Sequence, residues 1–272
     1  ADLSPELAAA VTRRSLLELA PAWLELETAQ VMQGPNFAHE LVREVALARV
    51  PTAVRAGLHA ELAQAMQAAG QAAPARLADH WWQAGRWAEA ARALLDAAQG
   101  ARVADRLQEH EDLLERAAQA LDRQGDADAA FDTRCRALEA SVWRGAGPAT
   151  LERASRLAAQ APNPAARGRV LAVQAQTQLS LLRTDDALQS TTEAMNLVLA
   201  GTVPHSDVTA LHGRALALAG RVDESLAMLH QACDAARALH DRPRQLIALS
   251  ALAHALATAQ RRGQALQVQQ QA

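Results

Sequence analysis

Polar residues recur at one register in an alanine-rich chain, and they are the first candidates for chemistry. Six residues before the turn-like sites at 145, 182, 220 and 260 stand Glu139, Gln176, Arg214 and His254, and the same step back from Gly85 gives Asp79. Arg169, Gln178 and Ser250 lie in the same stretches and can join them. Two acids, two amides, two guanidinium groups, an imidazole and a hydroxyl supply mixed charge with both donors and acceptors. That set suits a groove for a peptide or a polar metabolite. The competing expectation is an ordinary solvated helix face. Catalysis has less to stand on. The nine histidines are scattered, and none forms H-x-x-x-H or H-E-x-x-H. His205 and His212 can share a helix face, but no third ligand stands at metal spacing. No G-x-S-x-G elbow occurs, and no G-x-x-x-x-G-K-(S/T) loop. Lys is absent, so all 27 basic residues are Arg. The chain is therefore expected to carry no catalytic residue, no metal and no cofactor of its own.

The elements that must position the polar set are read from a recurring phrase. Gly85-Arg86-Trp87-Ala88-Glu89-Ala90 is followed by Ala97, and Arg183-Thr184-Asp185-Asp186-Ala187 by Ala194. Gly220-Arg221-Val222-Asp223-Glu224-Ser225 is followed by Ala232, and Gln260-Arg261-Arg262-Gly263-Gln264-Ala265 by Ala272. A turn ends one helix, and two small residues seven apart on the next lie on one face, where they let antiparallel helices approach closely. The sites at 145, 182, 220 and 260 are spaced by 37, 38 and 40 residues, longer than the roughly 34 of a standard tetratricopeptide repeat. Alanine, the best helix former, makes up about a quarter of the 272 residues. The fold class expected is all-α, with residues 71–272 a tetratricopeptide-like α-solenoid. Its right-handed superhelix would have the first helix of each pair lining the concave face. The repeat parity slips by one helix between Gly85 and Gly145. Trp81, Trp82 and Trp87 cluster at the first turn and read as a hydrophobic anchor.

Residues 1–70 read differently. Ser4-Pro5-Glu6 is a helix start, and Ser15 can cap a second helix with Leu16, Leu19, Trp23 and Leu26 on one face and a kink or restart at Pro21. The segment 31–37 holds a turn and a short extended pair. A helix over 39–49 follows, then one capped by Thr52 and ending at Gly70. Two helices, a β-like turn and more helix outline a winged helix.

Three segments carry a resemblance. Phe37, His39, Arg43 and Glu44 fit an F-x-H-x-x-x-(Q/R)-E-x-x-A phrase up to its last position, which is Leu47 here, and Arg55, Leu58, His59, Leu62 and Ala63 fit R-x-x-L-H-x-x-(I/L)-A. Leu77, Ala78, His80, Trp81, Ala84 and Gly85 fit L-A-x-H-(W/Y)-x-x-A-G. Together they resemble the winged-helix end and the repeats of STAND-type regulatory ATPases, among them the large ATP-binding regulators of the LuxR type and the maltose-activator group. The resemblance implies that His39 faces the phosphates of ADP in a closed resting state, since an imidazole can donate to a phosphate oxygen. ADP or ATP would sit in an ATPase module outside this chain. An inducer, or a protein or peptide partner, would occupy the concave groove, open the switch and permit ATP exchange and self-association. Arg43 and Glu44 read as structural ion-pair or capping groups. DNA binding would belong to a further domain.

Composition bounds the rest. The net charge is −3 with the signs interspersed, so no basic stripe for nucleic acid is present. No apolar run reaches the length of a membrane span. Cys135 and Cys233 form no C-x-x-C pair and read as apolar filler, which fits a reducing cytoplasm. The Arg and Ala bias suggests a GC-rich bacterial genome. A chain that starts on Ala and ends one short helix after its last turn reads as a fragment. Two other functions stay open: a stand-alone tetratricopeptide adaptor, and the regulatory tail of a cyclase or kinase.

Overall fold

The computed structural model describes residues 4–70, 72–145 and 147–271. Packing divides the chain into two compact units, residues 1–130 and residues 131–272. Among the described residues no helix is long and apolar enough to cross a membrane.

The first unit opens with α1 (Pro5–Thr12), where Ser4 Oγ accepts from the Leu7 N–H at 3.2 Å. A capping box starts α2 (Leu16–Thr28): the Glu18 N–H donates to Ser15 Oγ at 3.3 Å and the Ser15 N–H to the Glu18 carboxylate at 2.7 Å. The helix runs on through Pro21 rather than restarting there. β1 (Met32–Gln33) and β2 (Asn36–Phe37) pair antiparallel, Met32 opposite Phe37, around Gly34 at φ 57°. Next come α3 (Glu40–Ala48) and α4 (Thr52–Ala69). Thr52 is the first helical residue of α4 and not its cap. Pro51 takes the cap position and offers no side-chain acceptor, while Thr52 Oγ1 accepts from Arg55 at 3.3 Å. No side chain of α1, α2 or α3 is fully buried, and Leu17, Leu24, Leu41 and Val45 stay exposed.

The rest of this unit is helix against helix: α5 (Pro74–Gln83), α6 (Trp87–Val103) and α7 (Leu107–Gln124). His59 of α4 and His80 of α5 face each other with Nδ1 atoms 2.9 Å apart. Trp81 is buried, and Trp82 meets Trp87 edge-on at 5.4 Å. The Arg123 guanidinium lies 4.7 Å from both indole rings, which fixes the first turn with aromatic and cation–π contacts. The parity slip has a simple cause. Three helices, α6, α7 and α8 (Ala127–Gly145), separate Gly85 from Gly145, and the additional turn lies at Asp105, φ 56°.

The second unit continues with α9 (Pro148–Ala159), α10 (Pro164–Ser180), α11 (Thr184–Leu197) and α12 (Val203–Leu218). It ends with α13 (Val222–Ala238), α14 (Arg242–Thr258) and α15 (Arg262–Gln271). Each helix packs on the next, and α12 also packs on α10 and α14. These are stacked helical hairpins of the tetratricopeptide-like kind, all-α apart from the two-residue strands.

One turn recurs. Gly85, Asp105, Leu182, Gly220 and Gln260 take left-handed backbone, and the Arg after each sends its N–H back to a carbonyl five residues earlier at 2.8–3.0 Å. This is the Schellman closure, which satisfies an orphan carbonyl of the ended helix. The Arg then often pairs with an acid three residues on, as in Arg106–Glu109 at 2.6 Å and Arg221–Glu224 at 2.5 Å. The small residues that follow are buried: Ala90, Ala187 and Ser225, then Ala194 and Ala232, are 0% exposed. Ala272 lies outside the described residues. Close approach is tightest at two glycines. A Cβ on Gly213 would stand 2.7 Å from Leu229 Cγ, and one on Gly168 would stand 2.8 Å from Val198 Cγ1.

The repeat period is also written in side-chain contacts. Asp79–Arg116 (2.6 Å), Gln176–Arg214 (2.8 Å), Asp207–Arg244 (2.9 Å), Asp223–Arg261 (3.1 Å) and Asp132–Arg169 each join residues 37 or 38 apart. An acid or amide on one hairpin is thus held by the arginine one period later.

Candidate ligand groove

Within the second unit, α8, α10, α12 and α14 line one cleft of about 730 Å³. Its polar side chains are Glu139 from α8, Arg169 and Gln176 from α10, Asp207 and Arg214 from α12, and Arg244 from α14. Its apolar wall includes Val142, Trp143, Val173, Leu211 and Ile247. The turn described above sets the register: each even-numbered helix from α8 onward presents the same face once per period, so residues 37 or 38 apart come together.

Three arginines in the cleft have different surroundings. Arg169 Nη2 lies 3.2 Å from Glu139 Oε1, and Arg169 also pairs with Asp132. Burial works against its charge, but the two carboxylates more than restore it and raise its pKa. Arg244 lies between Asp207 at 2.9 Å and Asp241 at 2.5 Å, and its pKa is raised in the same way against burial. Arg214 donates to Gln176 Oε1 at 2.8 Å, and no carboxylate among the described residues pairs with it. Burial lowers its pKa, with no nearby charge to offset that. Burial also raises the pKa of Asp207, despite the Arg244 hydrogen bond.

The residues singled out in the sequence fall into distinct places. Glu139, Arg169, Gln176 and Arg214 line the cleft together. His254 does not: the cleft reaches α14 through Arg244, Ile247 and Ala248, and His254 lies six residues further, about 9 Å along the helix, exposed. Ser250 is also exposed and off the cleft. Gln178 is buried elsewhere with its Oε1 unpartnered. Asp79 belongs to the first unit, where it pairs with Arg116. His39 is exposed at the start of α3, and its ring makes no capping hydrogen bond. Arg43 pairs with Glu40. The register counted from the turns does not include Asp132, Asp207 and Arg244, although Asp132 stands 37 residues before Arg169 and Asp207 37 before Arg244, which matches the period.

Other titratable groups serve the packing. Burial pushes the Cys135 thiol up to about 12 and the Cys233 thiol up to about 11. His205 Nδ1 is buried without a partner, while His212 Nδ1 lies 2.8 Å from Thr191 Oγ1. Burial, and behind it the charge of Arg221, lowers the His212 pKa. A depressed histidine favours the neutral ring in the fold. Its contribution is complete above the unfolded value of about 6.5 and is lost progressively as pH falls from there through the lower folded value. His212→Gln is therefore expected to show a smaller drop in thermal midpoint than the wild type between about pH 7.5 and about pH 5.5. An equal or steeper drop refutes this role.

The sequence matches no protein family model and no curated protein. Among solved structures it is similar to a signal transduction ATPase with numerous domains (STAND) protein with a tetratricopeptide repeat sensor from Pyrococcus horikoshii. The identity is 10% and the TM-score 0.48, over 94% of this chain and 52% of that one. The chain thus spans about half the length of that protein. It is similar also to the TPR2AB-domain:pHSP90 complex of yeast Sti1, at 15% identity and TM-score 0.30, over 80% of this chain and 86% of that one.

Proposed function

We propose that residues 131–272 form the ligand-sensing array of a nucleotide-switched, STAND-type transcriptional regulator. The observation that carries this reading is the convergence of Glu139, Arg169, Gln176 and Arg214 on one cleft of about 730 Å³, a size suited to a small ligand. Residues 4–70 then act as the winged-helix end of the ATPase module, and the exposed ring of His39 turns to a phosphate of bound ADP. The exposed Leu17 and Leu24 on α2 and Leu41 and Val45 on α3 support this, because apolar side chains left in solvent suit packing against a neighbouring domain. The switch works by differential binding. A ligand that prefers the open state tenfold shifts the balance by about 1.4 kcal/mol, and one without preference shifts nothing.

The test uses the full polypeptide that the gene encodes. Purified from cells, it is expected to retain ADP, and His39→Ala is expected to weaken retention roughly tenfold, as loss of a hydrogen bond to a charged group does. If the wild type carries no nucleotide, or His39→Ala carries as much as the wild type, the switch reading fails and the adaptor reading replaces it.

A further inference from the structure

The cleft in the second unit has an electrostatic asymmetry that points to a ligand class. Arg169 is flanked by Glu139 and Asp132, and Arg244 by Asp207 and Asp241. Each of those clusters holds two carboxylates for one guanidinium. Arg214 has only the neutral Gln176 amide at 2.8 Å. It is half-buried among apolar side chains that include Val173 and Leu211. A guanidinium has five N–H donors in a planar fork, and Gln176 occupies one of them.

We propose that the cleft binds a small organic monoanion, with one carboxylate held by Arg214 in the planar two-point geometry and an aliphatic or aromatic body lying against Val142, Trp143, Leu211 and Ile247. The proposal rests on the reading of this cleft as a ligand site and names what fills it. Arg–carboxylate pairs form two parallel charge-assisted hydrogen bonds, and they supply the counter-charge Arg214 lacks. The number of charges on the ligand follows from the neighbours. A second negative charge would face the surplus carboxylates at Glu139–Asp132 or at Asp207–Asp241 and be repelled. A ligand with no charge would leave Arg214 desolvated and uncompensated. The half-buried position of Arg214 makes such a pair stronger than one in open solvent.

The experiment titrates the whole chain with octanoate and with its neutral amide, octanamide, near neutral pH. Calorimetry gives the affinities, and the indole N–H NMR signal of Trp143, the one tryptophan after residue 130, reports the site. Octanoate is expected to shift the Trp143 signal and to bind about tenfold more tightly than octanamide. Arg214→Met is expected to reduce octanoate to the affinity of octanamide. Equal binding of the two probes by the wild type, with Trp143 shifted, overturns the monoanion assignment while leaving the cleft a ligand site. No shift from either probe overturns it too. The acid–amide comparison on the wild type needs no variant, so a folding defect in Arg214→Met cannot hide the answer. The reading of the whole protein as a nucleotide switch stands or falls separately, on the ADP retained by the full polypeptide.

Discussion

Leu229→Ala lowers the stability of the second unit by about 3 kcal/mol, the usual cost of emptying a well-packed leucine site. Leu229 is 0% exposed in a cluster with Leu226, Leu249, Leu252 and Leu256. Its Cγ fills the space that Gly213 leaves on α12, where an added Cβ would come within 2.7 Å. The glycine gives the result a sharper form. On the wild-type background Gly213→Ala gains about 1 kcal/mol of helix propensity but overpacks by about 1–3 kcal/mol, so it is neutral to destabilising. On the Leu229→Ala background the new methyl enters vacated space, and the same substitution becomes stabilising. Residues in contact couple in this way, and a double-mutant cycle in urea measures it. Additive effects of the two substitutions would show that Gly213 and Leu229 do not set the α12–α13 distance.

Arg169→Met costs about 2 kcal/mol, and Arg214→Met costs nothing or stabilises slightly in the absence of ligand. Removing Arg169 leaves both Glu139 and Asp132 without their cation. Breaking a fully buried pair costs about 3–5 kcal/mol. The Arg169 side chain is 33% exposed and Asp132 56% exposed, so solvent screening reduces the figure. Removing Arg214 deletes a half-buried charge with no opposite partner. Chemical denaturation of the two variants side by side decides the matter. Equal losses would mean that Arg214 is as well compensated as Arg169, which would remove the reason for an anion in the cleft.

The helical hairpins were legible in the sequence because their turns repeat a chemical phrase, a left-handed residue followed by Arg and, in all but the turn at Gln260, an acid. Where that residue is Gly85 or Gly220 the signal is local, since glycine takes positive φ without strain. Asp105 was overlooked because nothing in an aspartate compels a left-handed backbone, although Arg106 and Glu109 follow it as in the other turns. Thr52 looked like a cap by residue type, yet Pro51 holds the extended conformation a cap needs. The cleft was legible in the residues that share the turn register. Asp207 and Arg244 escaped because they sit near the starts of their helices, far from the turn used for counting. His254 shares the register but lies beyond the cleft, since the register fixes a helical face and not how far along the helix a cavity extends. Arg214's lack of a carboxylate is a fact of three dimensions, invisible to spacing.

The contacts between residues 37 or 38 apart govern how such a chain can change length. Deleting one residue inside α11 or α13 rotates everything after it by about 100° and moves it by about 1.5 Å along the axis, which puts Arg214 and Arg244 out of reach of Gln176 and Asp207. Length can therefore vary freely only in connections such as 199–202, or by whole periods, which restore every partner one hairpin later. A gene for this array is expected to lengthen and shorten in quantised steps, through unequal recombination between its own repeats, with each added step supplying both the arginine that closes the previous rung and the acid that opens the next.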